Sequence, residues 1–149
     1  MVICGDTSFF FSLYGNDANS PRAVQWAAKG TVPITLSPYN PFELGNALRF
    51  AECRGGIKRG EAAMAWAQFE SAVKAGRLLR PPCNLADVLD EATRLSSTHT
   101  LTGGHRGFDI LHVAAALVLG ADEFLTFDSN QKKLAESEGL VVIGIESGV

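Results

Sequence analysis

What the chain lacks narrows it first. No apolar stretch in its 149 residues approaches the roughly 20 needed to cross a bilayer. The opening "MVICGDTSFFF" has no basic leader and carries Asp6 inside the apolar run, so a secretory signal is not expected. Three cysteines, Cys4, Cys53 and Cys83, show no CxxC spacing and no Cys/His cluster. An odd number so arranged makes neither a disulfide frame nor a zinc site, and points to reduced thiols in a cytoplasmic protein. Cys4, between apolar neighbours, reads as core. The GxGxxG phosphate fingerprint is missing, and no Ser-His-Asp or Cys-His arrangement is evident. There is no internal repeat, low-complexity tract or linker, so residues 1–149 read as one domain.

Strong charge of either sign is also lacking. A net charge of −3 argues weakly against broad nucleic-acid binding, which usually shows a basic surface. Acids concentrated in a metal site would lower the formal total without excluding it. Arg49, Glu52, Arg54, Lys58 and Arg59 form a local positive excess, readable as a solvated helix end or as a phosphate-contacting rim.

What is present is a globular composition, 46% hydrophobic and 19% charged, on a length that suits one domain with a sizeable core. "MVICG" reads as a buried first strand ending at Asp6. "SPRAVQWAAKG" carries a helix start, with Ser20 as N-cap, Pro21 at the first helical position and Gly30 as terminator. "TVPITLS" reads as a second strand that Pro33 confines to an edge or a strand start. After "PYNP", a helix should carry "FELGNALRFAECR" and stop at Gly55-Gly56. "KRGEAAMAWAQFESAVKAG" is a helix, and "GRLLRPP" a short strand. "NLADVLDEATRLSSTH" is a helix with Asn84 as cap and Asp87 in the capping-box acid position. "FDILHVAAALVLG" is a helix, "DEFLTFD" a strand, "SNQKKLAESEG" a helix capped by Ser129, and "LVVIGI" a last strand. Alternating strands and helices predict a three-layer α/β/α domain with a mostly parallel central sheet.

Such sheets bind ligands at the carboxyl ends of their strands. Asp6 and Asp128 follow strands, Asp109 opens a helix, and Glu43 lies in the first turns of another. Each has a plain structural reading: cap, helix-dipole partner, turn residue, exposed helix face. Gathered at one edge, they would raise one another's pKa and need a counter-charge. Mg²⁺ or Mn²⁺ prefers oxygen ligands, and a divalent ion at such an edge suits phosphodiester hydrolysis by activating water.

The motifs "DTSFFFSLY", "PFELGNALR", "FDILHVAAAL" and "LTFD", in this order over nearly the whole chain, resemble those of PIN-domain nucleases. Within that family the chain looks like the VapC-type toxins and their single-domain relatives. The resemblance implies a Mg²⁺- or Mn²⁺-dependent ribonuclease whose acidic quartet is Asp6, Glu43, Asp109 and Asp128, none of them replaced here. It further implies an RNA substrate, a cognate antitoxin protein and a homodimer. The apolar face for the dimer would come from Met64, Trp66 and Phe69, which core packing explains equally well. Thr7 and Thr126 would orient toward the site, and Asn46, on the face of Glu43, toward water at the metal. His105 and Arg106 would meet the phosphate backbone, while His112 reads as a helix-packing histidine. The alternatives are a catalytically inactive PIN-like RNA-binding or regulatory protein, and a receiver-like module. The latter is disfavoured because Asp6 stands alone between Gly5 and Thr7, and because Lys132 and Lys133 fall in a helix.

Overall fold

The computed structural model describes residues 1–144. Five strands, β1 (Ile3–Gly5), β2 (Ile34–Thr35), β3 (Leu78–Leu79), β4 (Glu123–Thr126) and β5 (Val141–Gly144), form one all-parallel sheet in the order β3-β2-β1-β4-β5. Ile145, expected as the end of the last strand, lies outside the described residues. The chain walks outward from β1 through β2 to β3, then returns to the other side of β1 for β4 and β5. The direction therefore reverses between β1 and β4, and parallel sheets leave a ligand crevice beyond the carboxyl ends of the strands at such a switch point.

Strand alternation builds two cores, one on each face of the sheet. Ile3 and Leu125 join Phe9, Phe10, Leu44, Leu48 and Phe69 on one side, while Cys4 and Phe124 join Val88, Val113, Ala114 and Leu134 on the other. Helices α1 (Thr7–Tyr14), α2 (Ser20–Lys29), α3 (Tyr39–Cys53) and α4 (Glu61–Lys74) supply the first core. Helices α5 (Leu85–Leu95), α7 (Gly107–Val118) and α8 (Ser129–Ser137) supply the second, and a short α6 (Leu101–Gly103) precedes α7. Cys4 is core as expected, and burial pushes its thiol up to about 12.

Local chemistry explains most boundaries. Asn84 caps α5, its Oδ1 accepting from the amides of Ala86 at 2.9 Å and Asp87 at 3.2 Å. Helix α3 begins at Tyr39, earlier than the "PYNP" reading, because Pro41 falls in the first turn, where no intrahelical N–H is needed. Ser20 is the first helical residue of α2 and not its cap; its Oγ accepts instead from the Asp17 amide at 2.9 Å. Ser129 likewise yields the cap of α8 to Asp128, whose Oδ1 takes the amides of Asn130 at 2.8 Å and Gln131 at 3.0 Å. Past Leu95 the expected α5 continues as a wider π turn, Ser96–Thr100. The hydroxyls of Ser97 and Thr98 donate to the Arg94 carbonyl there, competing with the regular helical pattern.

Of the residues expected on an apolar face of α4, Phe69 is fully buried and Trp66 stacks on it at 5.0 Å; Met64 alone is exposed. Among the described residues, no helix is long and apolar enough to cross a membrane.

Candidate functional site

A cavity of about 210 Å³ opens at the carboxyl edge of the sheet, lined by Asp6, Thr7, Ser8, Glu43, Arg106, Phe108, Asp109, His112, Asp128 and Gln131. All four acids singled out in the sequence thus face one hollow. Asp6 follows β1, Asp128 follows β4, Glu43 sits near the start of α3 and Asp109 in the first turn of α7. Gly5 lets the two central strands close up here: a Cβ on it would lie 3.2 Å from both Leu125 Cβ and the Leu125 carbonyl oxygen. A larger, mostly apolar hollow of about 440 Å³ by α2 and the starts of β2 and β3 contains no acid, so chemistry favours the smaller one.

Asp6 is 4% exposed, and each of its oxygens is held. Oδ1 accepts from the Phe9 amide and the Ser8 hydroxyl, both at 2.8 Å, and Oδ2 accepts from the Thr126 hydroxyl at 2.6 Å. Asp6 therefore also caps α1. Burial pushes its carboxyl above the usual range, against the pull of these hydrogen bonds. Thr126 accepts in turn from the Asp128 amide at 3.0 Å, so one buried hydroxyl ties the two strand-end acids together.

Glu43 takes a 2.8 Å hydrogen bond from Nε2 of His112, a ring only 3% exposed. Partial burial opposes its ionisation, but the hydrogen bonds from His112 and Thr7 outweigh that and hold its carboxyl below the usual range. Thr7 also accepts from Asn40 Nδ2 at 3.4 Å, and the same Nδ2 donates to the Gly5 carbonyl at 3.3 Å. His112 is a helix-packing residue, as expected, and a partner of Glu43 as well. Its buried Nδ1 has no hydrogen-bond partner among the described residues.

Asp109 differs from the others: its carboxylate accepts no hydrogen bond among the described residues. Burial, followed by the nearby charge of Asp128, raises its pKa, while Arg106 and His112 pull it down. Its carbonyl accepts from Gln131 Nε2 at 3.0 Å, which pins α7 to α8.

The remaining expected residues divide. Arg106 lines the cavity at the N-cap position of α7, and Thr7 and Thr126 support the acids as described. Asn46 is exposed and outside the lining. His105 lies back against Asn130, 3.3 Å from its Nδ2, and is also outside the lining. The basic segment 49–59 is away from the cavity. Glu52 there accepts from the Gly60 and Ala62 amides at the start of α4, Arg49 lies over Trp66, and Arg54 over Phe50.

Sequence reading missed Ser8, Asn40, Phe108 and Gln131. Gln131 carried a signal, since an acid cap followed three residues later by Gln is a capping-box pattern. Asn40 lies in "PYNP", ahead of the expected helix start.

Among the described residues, no three His, Cys, Asp or Glu side chains form a group that could hold a metal ion as they stand. The fit to a divalent cation therefore rests on donor chemistry. The lining offers carboxylate oxygens, hard donors of the kind Mg²⁺ and Mn²⁺ take. Asp6 and Asp109 are pushed toward neutrality, and Arg106 is the permanently cationic side chain of the lining. Positive charge is what the arrangement is short of.

The five-stranded parallel sheet with helices on both faces is a PIN-like α/β architecture, and the PIN-domain family model matches residues 3–137. The chain belongs to the PIN-domain family. Its structure is similar to that of Mycobacterium tuberculosis VapC20, a sarcin-ricin loop cleaving toxin, with a TM-score of 0.68 at 19% identity, over 93% of this chain and 96% of that one. It is also similar to FitAcB from Neisseria gonorrhoeae (TM-score 0.67, 17% identity, 97% and 98% covered). A third similarity is to VapBC2 from Rickettsia felis bound to a promoter DNA fragment (0.61, 15%, 96% and 98%). No curated protein sequence matches the chain.

Proposed function

We propose that the protein is a Mg²⁺- or Mn²⁺-dependent endoribonuclease, in one domain, that hydrolyses RNA phosphodiester bonds as the toxin of a toxin–antitoxin pair. The observation that supports this most is the gathering of Asp6, Glu43, Asp109 and Asp128 around one cavity with too little positive charge to neutralise them. These side chains would hold the ion. When bound, it supplies charge neutralisation at the scissile phosphate and activation of the attacking water.

The chain's own residues do the positioning. Ser8, the Phe9 amide and Thr126 fix the Asp6 carboxylate in one rotamer. His112 and Thr7 keep Glu43 ionised and turned into the cavity. Arg106, at the mouth, meets the substrate phosphate without competing for the ion. Gln131 sets the height of α7, and so of Asp109, against α8.

The antitoxin reading draws on the names of similar structures, VapBC2 and FitAcB, and on charge. A carboxylate cluster without metal needs another cation, so an antitoxin would insert a basic side chain, Arg by preference, toward the acids. A complex whose acid edge stayed open would overturn that. A homodimer in the cytoplasm completes the proposal.

The deciding experiment is cleavage of a mixed RNA pool in Mn²⁺ and in excess EDTA. Cleavage abolished by the chelator is expected. Robust cleavage in EDTA would sink the metal mechanism, and RNA binding without cleavage in either condition would favour the inactive RNA-binding alternative.

A further inference from the structure

Three of the four cavity acids directly follow a phenylalanine: Phe42-Glu43, Phe108-Asp109 and Phe127-Asp128. The rings are treated differently. Phe127 is covered, with Phe9 stacked at 5.9 Å and the Arg22 guanidinium 5.1 Å from its centroid. Phe42 is exposed but lies outside the cavity lining. Phe108 is 48% exposed and also lines the cavity, between Arg106 and Asp109 in sequence.

The Phe108 ring is braced. Tyr39 meets it nearly perpendicular (86°) at 6.5 Å, and the His112 ring lies tilted (46°) at the same distance. Neither contact is a parallel stack, and about half of the residue stays open to solvent. Phe108 belongs to the first turn of α7, the helix that sets Asp109, so the ring is fixed relative to the acids.

We propose that Phe108 forms a nucleobase subsite, stacking the base of a single-stranded nucleotide next to the scissile phosphate while Arg106 holds the phosphate itself. This deepens the ribonuclease reading and rests on it. Charge and shape complementarity select the occupant. A nucleotide offers an anionic phosphate and a flat π-face about one sugar apart, and the cavity mouth offers a guanidinium and an aromatic ring two residues apart in the chain. Every base has a π-face, so the subsite prefers unpaired nucleotides without reading sequence. It also explains an otherwise poor use of phenylalanine, half in water at a helix start where a polar residue would fold as well.

The test is binding of a fluorescein-labelled single-stranded oligoadenylate octamer in EDTA, so that cleavage cannot intervene, together with steady-state cleavage in Mn²⁺. Phe108→Ala should weaken binding ~10-fold, within the range for loss of one base–aromatic stack, and should raise KM more than it lowers kcat. Phe108→Leu, equally apolar but without a π-face, should lose as much. Phe108→Trp should keep the affinity, and its indole emission should fall on adding RNA, after subtraction of the Trp26 and Trp66 signal. Thermal unfolding of all three should match wild type. Unchanged RNA affinity in Phe108→Ala, with wild type still cleaving, would overturn the subsite and leave the nuclease reading intact. Wild-type affinity in Phe108→Leu would also overturn it, by reducing the contact to general apolarity. Loss of self-association in sedimentation with RNA affinity unchanged would assign the ring to a protein interface instead. A wild type that neither binds nor cleaves RNA would fell the nuclease reading and the subsite together.

Discussion

Asp109 and Glu138 both lie at helix ends, and the molecule treats their charges in opposite ways. Glu138 closes α8 at its C-terminal end, where the helix dipole disfavours an acid. The fold answers with a cation, Arg94, which donates to one carboxylate oxygen, while His99 Nε2 lies 2.8 Å from the other. Arg94 above all, and then His99, hold the Glu138 carboxyl below its usual range despite burial. Asp109 opens α7, where the dipole favours an acid, yet burial and its neighbour Asp128 push its carboxyl up. An acid that serves only the fold arrives with its counter-charge. Asp6, Glu43 and Asp128 are held in place by hydroxyls, amides and a histidine, Asp109 by none of these, and the cavity acids are left short of positive charge. That shortfall separates a ligand-awaiting edge from a structural ion-pair cluster.

The largest effect that could break this contrast is Asp109→Asn. It keeps shape and removes charge, so RNA cleavage in Mn²⁺ should fall at least ~100-fold, the scale of a lost metal-site interaction. Without metal the same variant should be as stable as wild type or more so. The sign follows from the raised carboxyl. The folded state holds that proton more tightly than the unfolded chain, so above the carboxylate range ionisation in the fold works against stability, and Asn removes that burden. Paired cleavage assays and thermal unfolding in EDTA check both halves. A less stable, fully active variant would make Asp109 a helix-start acid and nothing more.

The next effect tests the missing charge directly. Mn²⁺ at 100 times its Kd should stabilise the wild type by about 2.7 kcal/mol, read as a rise in Tm reversed by EDTA. Asp109→Asn should lose most of that rise, and Glu138→Gln none of it. An equal rise in all three would place the ion elsewhere.

Thr126→Val comes third. Its hydroxyl serves both Asp6 Oδ2 and the Asp128 amide, and valine has the same shape without the donor or the acceptor. Leaving a buried carboxylate oxygen unpaired costs about 1–3 kcal/mol, so denaturant midpoints should fall accordingly and cleavage should weaken as Asp6 loses its rotamer. A neutral outcome would mean that the backbone and Ser8 alone position Asp6.

Legibility from sequence followed the same division. Asp6, Asp109 and Asp128 could be found because each falls at an element end, and a parallel sheet sends such ends to one edge; Glu43, in the second turn of α3, was named by the family resemblance. "MVICG" and "DEFLTFD" became β1 and β4, and Asp6 and Asp128 flank the switch point between them. The supports were harder to see. Asn40 is fully buried because α3 starts before Pro41, and a boundary shift of a few residues brings it into the helix, where its Nδ2 reaches the Gly5 carbonyl and the Thr7 hydroxyl behind the cavity. Asn46 shows the converse. It was placed on the face of Glu43 by helical spacing, but one turn along α3 carries it out of the cavity and into solvent. Helical period gives direction around an axis; it does not say where along that axis the cavity ends.

Glu138→Gln is the smallest predicted effect and the control on all the others. Arg94 is 47% exposed on its side chain and Glu138 14%, so solvent screens the pair and its loss should cost no more than about 1 kcal/mol at pH 7. Because the folded carboxyl is lowered, its contribution is full above the unfolded carboxylate range and disappears as pH falls through the folded value. The difference in stability between wild type and Glu138→Gln should therefore shrink on acidification, toward zero once the pH lies below the folded value. For Asp109→Asn the gain over wild type should also vanish in acid, with the opposite sign at neutral pH. Two acid-to-amide changes in one protein would then have mirror-image pH profiles, and only the Asp109 change would affect RNA cleavage. If the profiles ran parallel, the two carboxylates would be the same kind of group, and the contrast between a charge-balanced and a charge-starved acid would fail at its root.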